Sequence, residues 1–126
     1  MGEDREKREF TRVPISFEVA VNVDGQDLGG CHVRDLSMKG MLVVTPGRWP
    51  VGTPCEALIT LVSGEVEIRT SGRVAAEHPE GFGMEFTTID GLESYIHLRN
   101  LVLFNTDDVE RVEEEIQAHS GIRRKE

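Results

Sequence analysis

Between residues 13 and 23 the chain reads Val-Pro-Ile-Ser-Phe-Glu-Val-Ala-Val-Asn-Val, with an apolar side chain at every odd position. A period of two places Val13, Ile15, Phe17, Val19, Val21 and Val23 on one face of a strand, a pattern that a helix cannot use. Asp24-Gly25 follows as a turn signal, and a second strand is predicted over residues 27–34, giving an antiparallel hairpin. Its odd positions carry Cys31 and Val33, so the odd face of one strand must meet the odd face of the other. A two-residue turn would pair Phe17 with His32 and Ile15 with Arg34, whereas a three-residue Asp24-Gly25-Gln26 loop pairs Val19 with Cys31 and Phe17 with Val33. The three-residue loop is the preferred reading. It sets Ile15 opposite Asp35 and Val13 opposite Ser37, bringing the segment before the first strand beside the segment after the second.

Further strands are predicted over residues 40–45, 55–62, 65–76 and 82–86, separated by Pro46-Gly47, residues 50–54, Ser63-Gly64 and residues 78–81. Short strands at this spacing belong to a small barrel or sandwich, and closure would remove exposed edges. After Asp90-Gly91 the period changes: Tyr95, Leu98, Leu101 and Val102 fall at helical spacing. Thr106 or Asp107 can cap a second helix, in which Val109, Val112 and Ile116 form a narrow apolar stripe beside Glu113, Glu114 and Glu115. That stripe leaves two readings open, packing on the domain's own surface or self-association and partner binding through this C-terminal helix. Residues 121–126 are expected to be a frayed tail.

The length of 126 residues fits one domain, and no apolar run is long enough to span a bilayer, so a soluble, cytoplasmic protein without membrane insertion is expected. The first residues carry charges with no apolar stretch behind them, unlike a secretory signal, and Glu6 stands where a myristoylation site needs Ser or Thr. A net charge of -9 argues against broad affinity for DNA or RNA, so an anionic ligand would need a focused site. Cys31 and Cys55 form no Cys-x-x-Cys and have no histidine at ligand spacing; they read as reduced core thiols. His32, His78, His97 and His119 are scattered without a nucleophile motif, and no catalytic residue, metal ligand or cofactor is assigned. Gly81-Phe82-Gly83 precedes a strand rather than a helix, and Trp49 between Arg48 and Pro50 reads as a loop anchor.

Two short motifs carry the chemistry. Arg8-Glu9-Phe10-Thr11-Arg12 sets two guanidinium groups four residues apart, immediately before the first strand. Each is a permanently charged planar fork that can bind phosphate oxygens, cover a purine face or donate to O6 and N7 of guanine. Asp35-Leu36-Ser37-Met38-Lys39-Gly40 follows the second strand, where the hairpin brings it next to Arg12. A carboxylate can accept from guanine N1 and N2 hydrogens, a serine hydroxyl can serve a phosphate or ribose, and glycine permits close backbone approach. An ordinary turn is the alternative for the same residues, with Asp35 capping the amides of Ser37 or Met38 and Gly40 supplying a positive φ. For Arg8 and Arg12 the alternative is a solvated tail pairing with Glu6 or Glu9.

Arg-x-x-x-Arg followed about twenty residues later by Asp-x-Ser-x-x-Gly resembles the signature of PilZ domains, and both motifs are complete. The resemblance extends over the residue 13–23 strand, the Gly40-Met41-Leu42-Val43-Val44 strand, Pro50-Val51-Gly52, Gly72-Arg73-Val74 and Gly83-Met84-Glu85-Phe86. It implies a mostly β fold: a six-stranded antiparallel barrel over residues 13–90, an N-terminal arm over residues 1–12, and C-terminal helices and tail over residues 91–126. It also implies a receptor that binds cyclic di-GMP without chemistry on it and signals to a protein partner. Carried over, Arg8 and Arg12 clamp phosphate and guanine, Asp35 and Ser37 read a guanine edge, and Gly40 lets the backbone close in. In such proteins the arginine segment is typically mobile until ligand orders it. Relatives that take a stacked ligand pair tend to have an additional arginine where this chain has Lys7, which supplies charge but no stacking plane; the reading leans toward the pair. Two other functions stay in view. A PilZ-like interaction module would keep the fold without the nucleotide, and a cyclic-nucleotide hydrolase would need metal-binding carboxylates or histidines that the sequence does not assemble.

Overall fold

A computed structural model of the chain describes residues 11–61, 65–118 and 123–125. Its elements are β1 (Val13–Val23), β2 (Gln26–Leu36), β3 (Gly40–Val44), β4 (Pro54–Leu61), β5 (Val66–His78), β6 (Gly81–Asp90), α1 (Gly91–Asn105), α2 (Val109–Ala118) and β7 (Arg123–Lys125). The strands lie in the order β3-β2-β1-β4-β5-β6, and β3 also pairs with β6, which closes a six-stranded antiparallel barrel. Alternation along each strand fills its interior. Val13, Val19, Val21 and Val23 of β1 are buried together with Val33, Leu36, Met41, Val43, Ile59, Ile68, Phe82 and Phe86. Each such side chain contributes about 1.5–3 kcal/mol through burial.

The β1–β2 hairpin corrects the expected loop. Val23 pairs with Gln26, so the turn is the two-residue Asp24-Gly25, with φ of 54° and 87°. Positive φ at both central residues gives the turn whose twist suits a hairpin, and Gly25 N donates to Asn22 Oδ1 at 2.9 Å. The preferred pairs, Val19 with Cys31 and Phe17 with Val33, are nevertheless present. A bulge provides the extra residue: β2 takes three steps from Leu28 to Cys31 while β1 takes two from Val21 to Val19. Gly29-Gly30 lies there, where the absence of side chains makes an irregular pairing cheap. A second bulge, in β1 between Pro14 and Phe17, shifts the register back, so that Asp35 faces Pro14 rather than Ile15 and Val13 faces Leu36 rather than Ser37. Proline has no amide hydrogen to give the ladder, so regular pairing is weakest at this point.

The helices seal one side of the barrel. Leu98 and Val102 of α1 are fully buried and Tyr95 and Leu101 partly so, as the spacing predicts, and Ser94 Oγ accepts from Arg69 N of β5 at 3.0 Å. The cap of α2 is neither Thr106 nor Asp107. Asp108 Oδ1 accepts from Arg111 N at 3.1 Å, while Thr106 Oγ1 accepts from Asp108 N at 3.0 Å. Within α2, Val112 is fully buried and Ile116 packs against the core, which assigns most of the apolar stripe to the domain's own surface; Val109 stays exposed.

The tail also departs from expectation. Arg123–Lys125 forms β7 and pairs in parallel with Thr88, Ile89 and Asp90. β6 outruns β3, whose last partner on it is Glu85, so the end of β6 has an open edge that β7 covers. Trp49 anchors its loop by meeting Phe82 edge-on, with ring centroids 5.6 Å apart. No helix among the described residues is long and apolar enough to cross a membrane.

Candidate functional site

The two bulges offset one another, so the head of β1 meets the end of β2 in the register that the two-residue turn alone would set. Arg12, just before β1, reaches across the pair, and its Nη1 donates to Asp35 Oδ1 at 2.5 Å. Both side chains remain open to solvent, 55% and 27% exposed. One bond uses about one of the four acceptor positions of a carboxylate, which leaves Asp35 capacity for a ligand's N–H groups. The structure therefore joins the last residue of the first motif to the first residue of the second. Arg8 and Lys7 lie outside the described residues.

Ser37 lies inside the turn between β2 and β3. It is only 2% exposed, and its hydroxyl accepts from Lys39 N and Gly40 N, each at 3.1 Å, and donates to Gly40 O at 3.3 Å. Ser37 N also donates to Gly40 O at 2.8 Å. The residue that caps this turn is thus Ser37 and not Asp35, which leaves the Asp35 carboxylate facing Arg12. Gly40 is buried and its φ is not positive, so that explanation does not hold for it. A Cβ there would collide with the Met84 carbonyl oxygen of β6. Glycine at this position lets β3 close the barrel against β6, and the turn that carries Asp35 is fixed by that closure.

Further charges lie on the neighbouring strands. Glu85, opposite Gly40 on β6, accepts from Arg73 Nε at 3.0 Å and stands 4.0 Å from Lys39 Nζ. Arg34, in the bulge before Asp35, pairs with Glu80. The strip between them has few side chains: Leu42 of β3 is half-buried and its partner on β6 is Gly83. A planar group could lie flat on such a surface while donors and acceptors approach from its rim.

Sequence reasoning missed one contact here. Thr11, a spacer within Arg-x-x-x-Arg, donates its N–H and its hydroxyl to Glu115 of α2. The signal was present in the spacing, because Glu115 stands three residues after the buried Val112 and next to Ile116, at the margin of the inward face. Elsewhere, burial with help from Glu56 pushes the Cys55 thiol up to about 11.

Comparison with known proteins gives a consistent picture. The family model of the PilZ domain matches residues 6–104. Among solved structures, the crystal structure of the PilZ domain of CeSA from a cellulose-synthesizing bacterium superposes with a TM-score of 0.58 at 27% identity, over 75% of this chain and 96% of that one. No curated protein matches the chain in sequence.

Proposed function

Because the chain belongs to the PilZ domain family, whose members are binding and adaptor modules, we propose that it is a receptor for cyclic di-GMP and that ligand binding changes the position of its N-terminal arm. The observation that carries this reading is the Arg12–Asp35 contact, which brings the two halves of the motif within hydrogen-bond distance. In the proposed complex Arg8 and Arg12 hold phosphate and cover guanine, and Asp35 accepts from a guanine edge. Ser37 and Gly40 act by shaping the turn that presents Asp35, and Ser37 needs to open before its hydroxyl touches ligand. Lys7 adds positive charge. The output is a conformational signal to a protein partner, and no chemistry on the nucleotide is proposed.

The test is calorimetric titration of cyclic di-GMP into the wild-type protein. Saturation in the micromolar range or tighter supports the receptor; no heat of binding at high micromolar ligand contradicts it. One observation favours the second reading, an interaction module that ignores the nucleotide. Leu92 and Ile96, one turn apart on α1, are 48% and 39% exposed, and Phe104 near its C-terminal end is 83% exposed, apolar groups that a protein partner could cover.

A further inference from the structure

Thr11 is tied to α2 by a single carboxylate. Its N–H lies 2.9 Å from Glu115 Oε1 and 3.1 Å from Oε2, and its Oγ1 donates to Oε2 at 2.7 Å. Glu115 is braced from its own helix by Arg111 Nε at 3.2 Å, and only 12% of its side chain is exposed. Beneath it, fully buried Val112 fixes α2 on the barrel. Hydrogen bonds to an ionised acceptor are stronger than those between neutral groups, and this one receives three donors in a place shielded from water.

We propose that Glu115 is a positioning residue of the nucleotide site: it seats Thr11 against α2, so that Arg12 stands over Asp35 before ligand arrives. The inference rests on the receptor reading above. Thr11 precedes the first residue of β1 by only two positions, so its clamp and the β1–β2 pairing fix Arg12 from both sides. Without the clamp, ligand itself must order Thr11 and Arg12, and fixing one residue's backbone changes an equilibrium by roughly tenfold. Linkage is reciprocal, so a ligand held by Arg12 strengthens the seat of α2 in turn.

Charge and clamp predict opposite signs. Cyclic di-GMP is an anion, so removing the negative charge of Glu115 would by itself tighten binding. The experiment is calorimetric titration of cyclic di-GMP into wild type, Glu115→Ala, Glu115→Gln and Thr11→Val, with helix content followed by circular dichroism. Glu115→Ala is expected to weaken binding about tenfold. Glu115→Gln should bind more tightly than Glu115→Ala, because its amide oxygen can accept from Thr11 N–H and its amide nitrogen can donate to Thr11 Oγ1, through neutral bonds weaker than those of the carboxylate. Thr11→Val leaves α2 untouched and should cost about threefold through the lost hydroxyl bond. Equal or tighter binding by Glu115→Ala, or equal weakening by Ala and Gln, overturns the positioning role while leaving the receptor standing. Absence of binding by wild type removes both.

Discussion

Asp35 faces Pro14 across the β1–β2 pair, while four positions away Cys31 faces Val19, so the register slips by one residue between the core of the hairpin and the site. The bulge responsible lies immediately after Pro14, and two residues before Pro14 the Arg12 side chain makes a 2.5 Å hydrogen bond to Asp35. Bulges commonly redirect a strand at a barrel rim in this way.

The Arg12–Asp35 pair is exposed, so it is expected to matter for ligand and little for folding. Arg12→Ala or Asp35→Ala should change unfolding free energy by less than about 1 kcal/mol in urea titrations. Asp35→Ala should weaken cyclic di-GMP binding by at least about tenfold, since a hydrogen bond to a charged group is worth about 1.5–3 kcal/mol. A large stability loss with unchanged affinity would assign the pair a structural role instead.

Ser37 and Gly40 should behave in the opposite manner. Ser37→Ala removes the acceptor of two buried-turn amides and is expected to cost about 1–3 kcal/mol of stability. Gly40→Ala forces a methyl group onto the Met84 carbonyl, and its neighbour is backbone that cannot turn aside, so a loss of about 1–3 kcal/mol or more is expected. Both should lower the urea midpoint, whereas Arg12→Ala and Asp35→Ala should leave it nearly unchanged.

Much of this architecture was legible in the sequence because period-two alternation is a strong signal where one face of a strand is buried. The β1 pattern, the hairpin, the positions of β3 to β6 and the buried face of α1 all follow from it. The details near the site were harder to read. The two-residue turn and the Gly29-Gly30 bulge give the same central pairs as a three-residue loop, so pairing logic alone could not separate them. The slip at Pro14 depends on a missing amide hydrogen, which hydrophobic patterning does not register. β7 is paired because β6 outruns β3, a relation between two distant strand lengths. Ser37 follows the same logic: its motif marks it as chemically important, but only the closed turn shows its hydroxyl occupied by Lys39 and Gly40 amides.

The two faces of the C-terminal helices should respond differently to substitution. Val112→Ala empties a fully buried position and is expected to cost about 1–3 kcal/mol, with loss of α2 helicity by circular dichroism. Phe104→Ser, at a position 83% exposed, should leave stability within about 0.5 kcal/mol. A strong effect of Phe104→Ser on apparent molecular mass, measured by light scattering, would reveal self-association through α1.

Cys55 gives a pH signature. Its thiol is raised from 9.0 to about 11, first by burial and then by Glu56, so the unfolded chain gives up this proton at lower pH than the folded one. The neutral thiol's contribution is therefore intact below about pH 9 and is lost as pH rises toward 11. Compared with Cys55→Ala, wild type should lose on the order of 1–2 kcal/mol more stability across that range. Parallel pH profiles for the two proteins would contradict the assignment. Thiol reagents at neutral pH should label Cys55 only as the protein unfolds.

The most direct test of the receptor is a calorimetric comparison of wild type with the Arg8→Ala/Arg12→Ala double variant, using cyclic di-GMP and, as control, cyclic di-AMP. The account predicts saturable binding of the guanine ligand by wild type, weak or absent binding of the adenine analogue, and loss of the signal in the double variant. A stoichiometry near two would identify the stacked pair. Equal binding of both nucleotides, or retention of binding without the two arginines, would contradict the account.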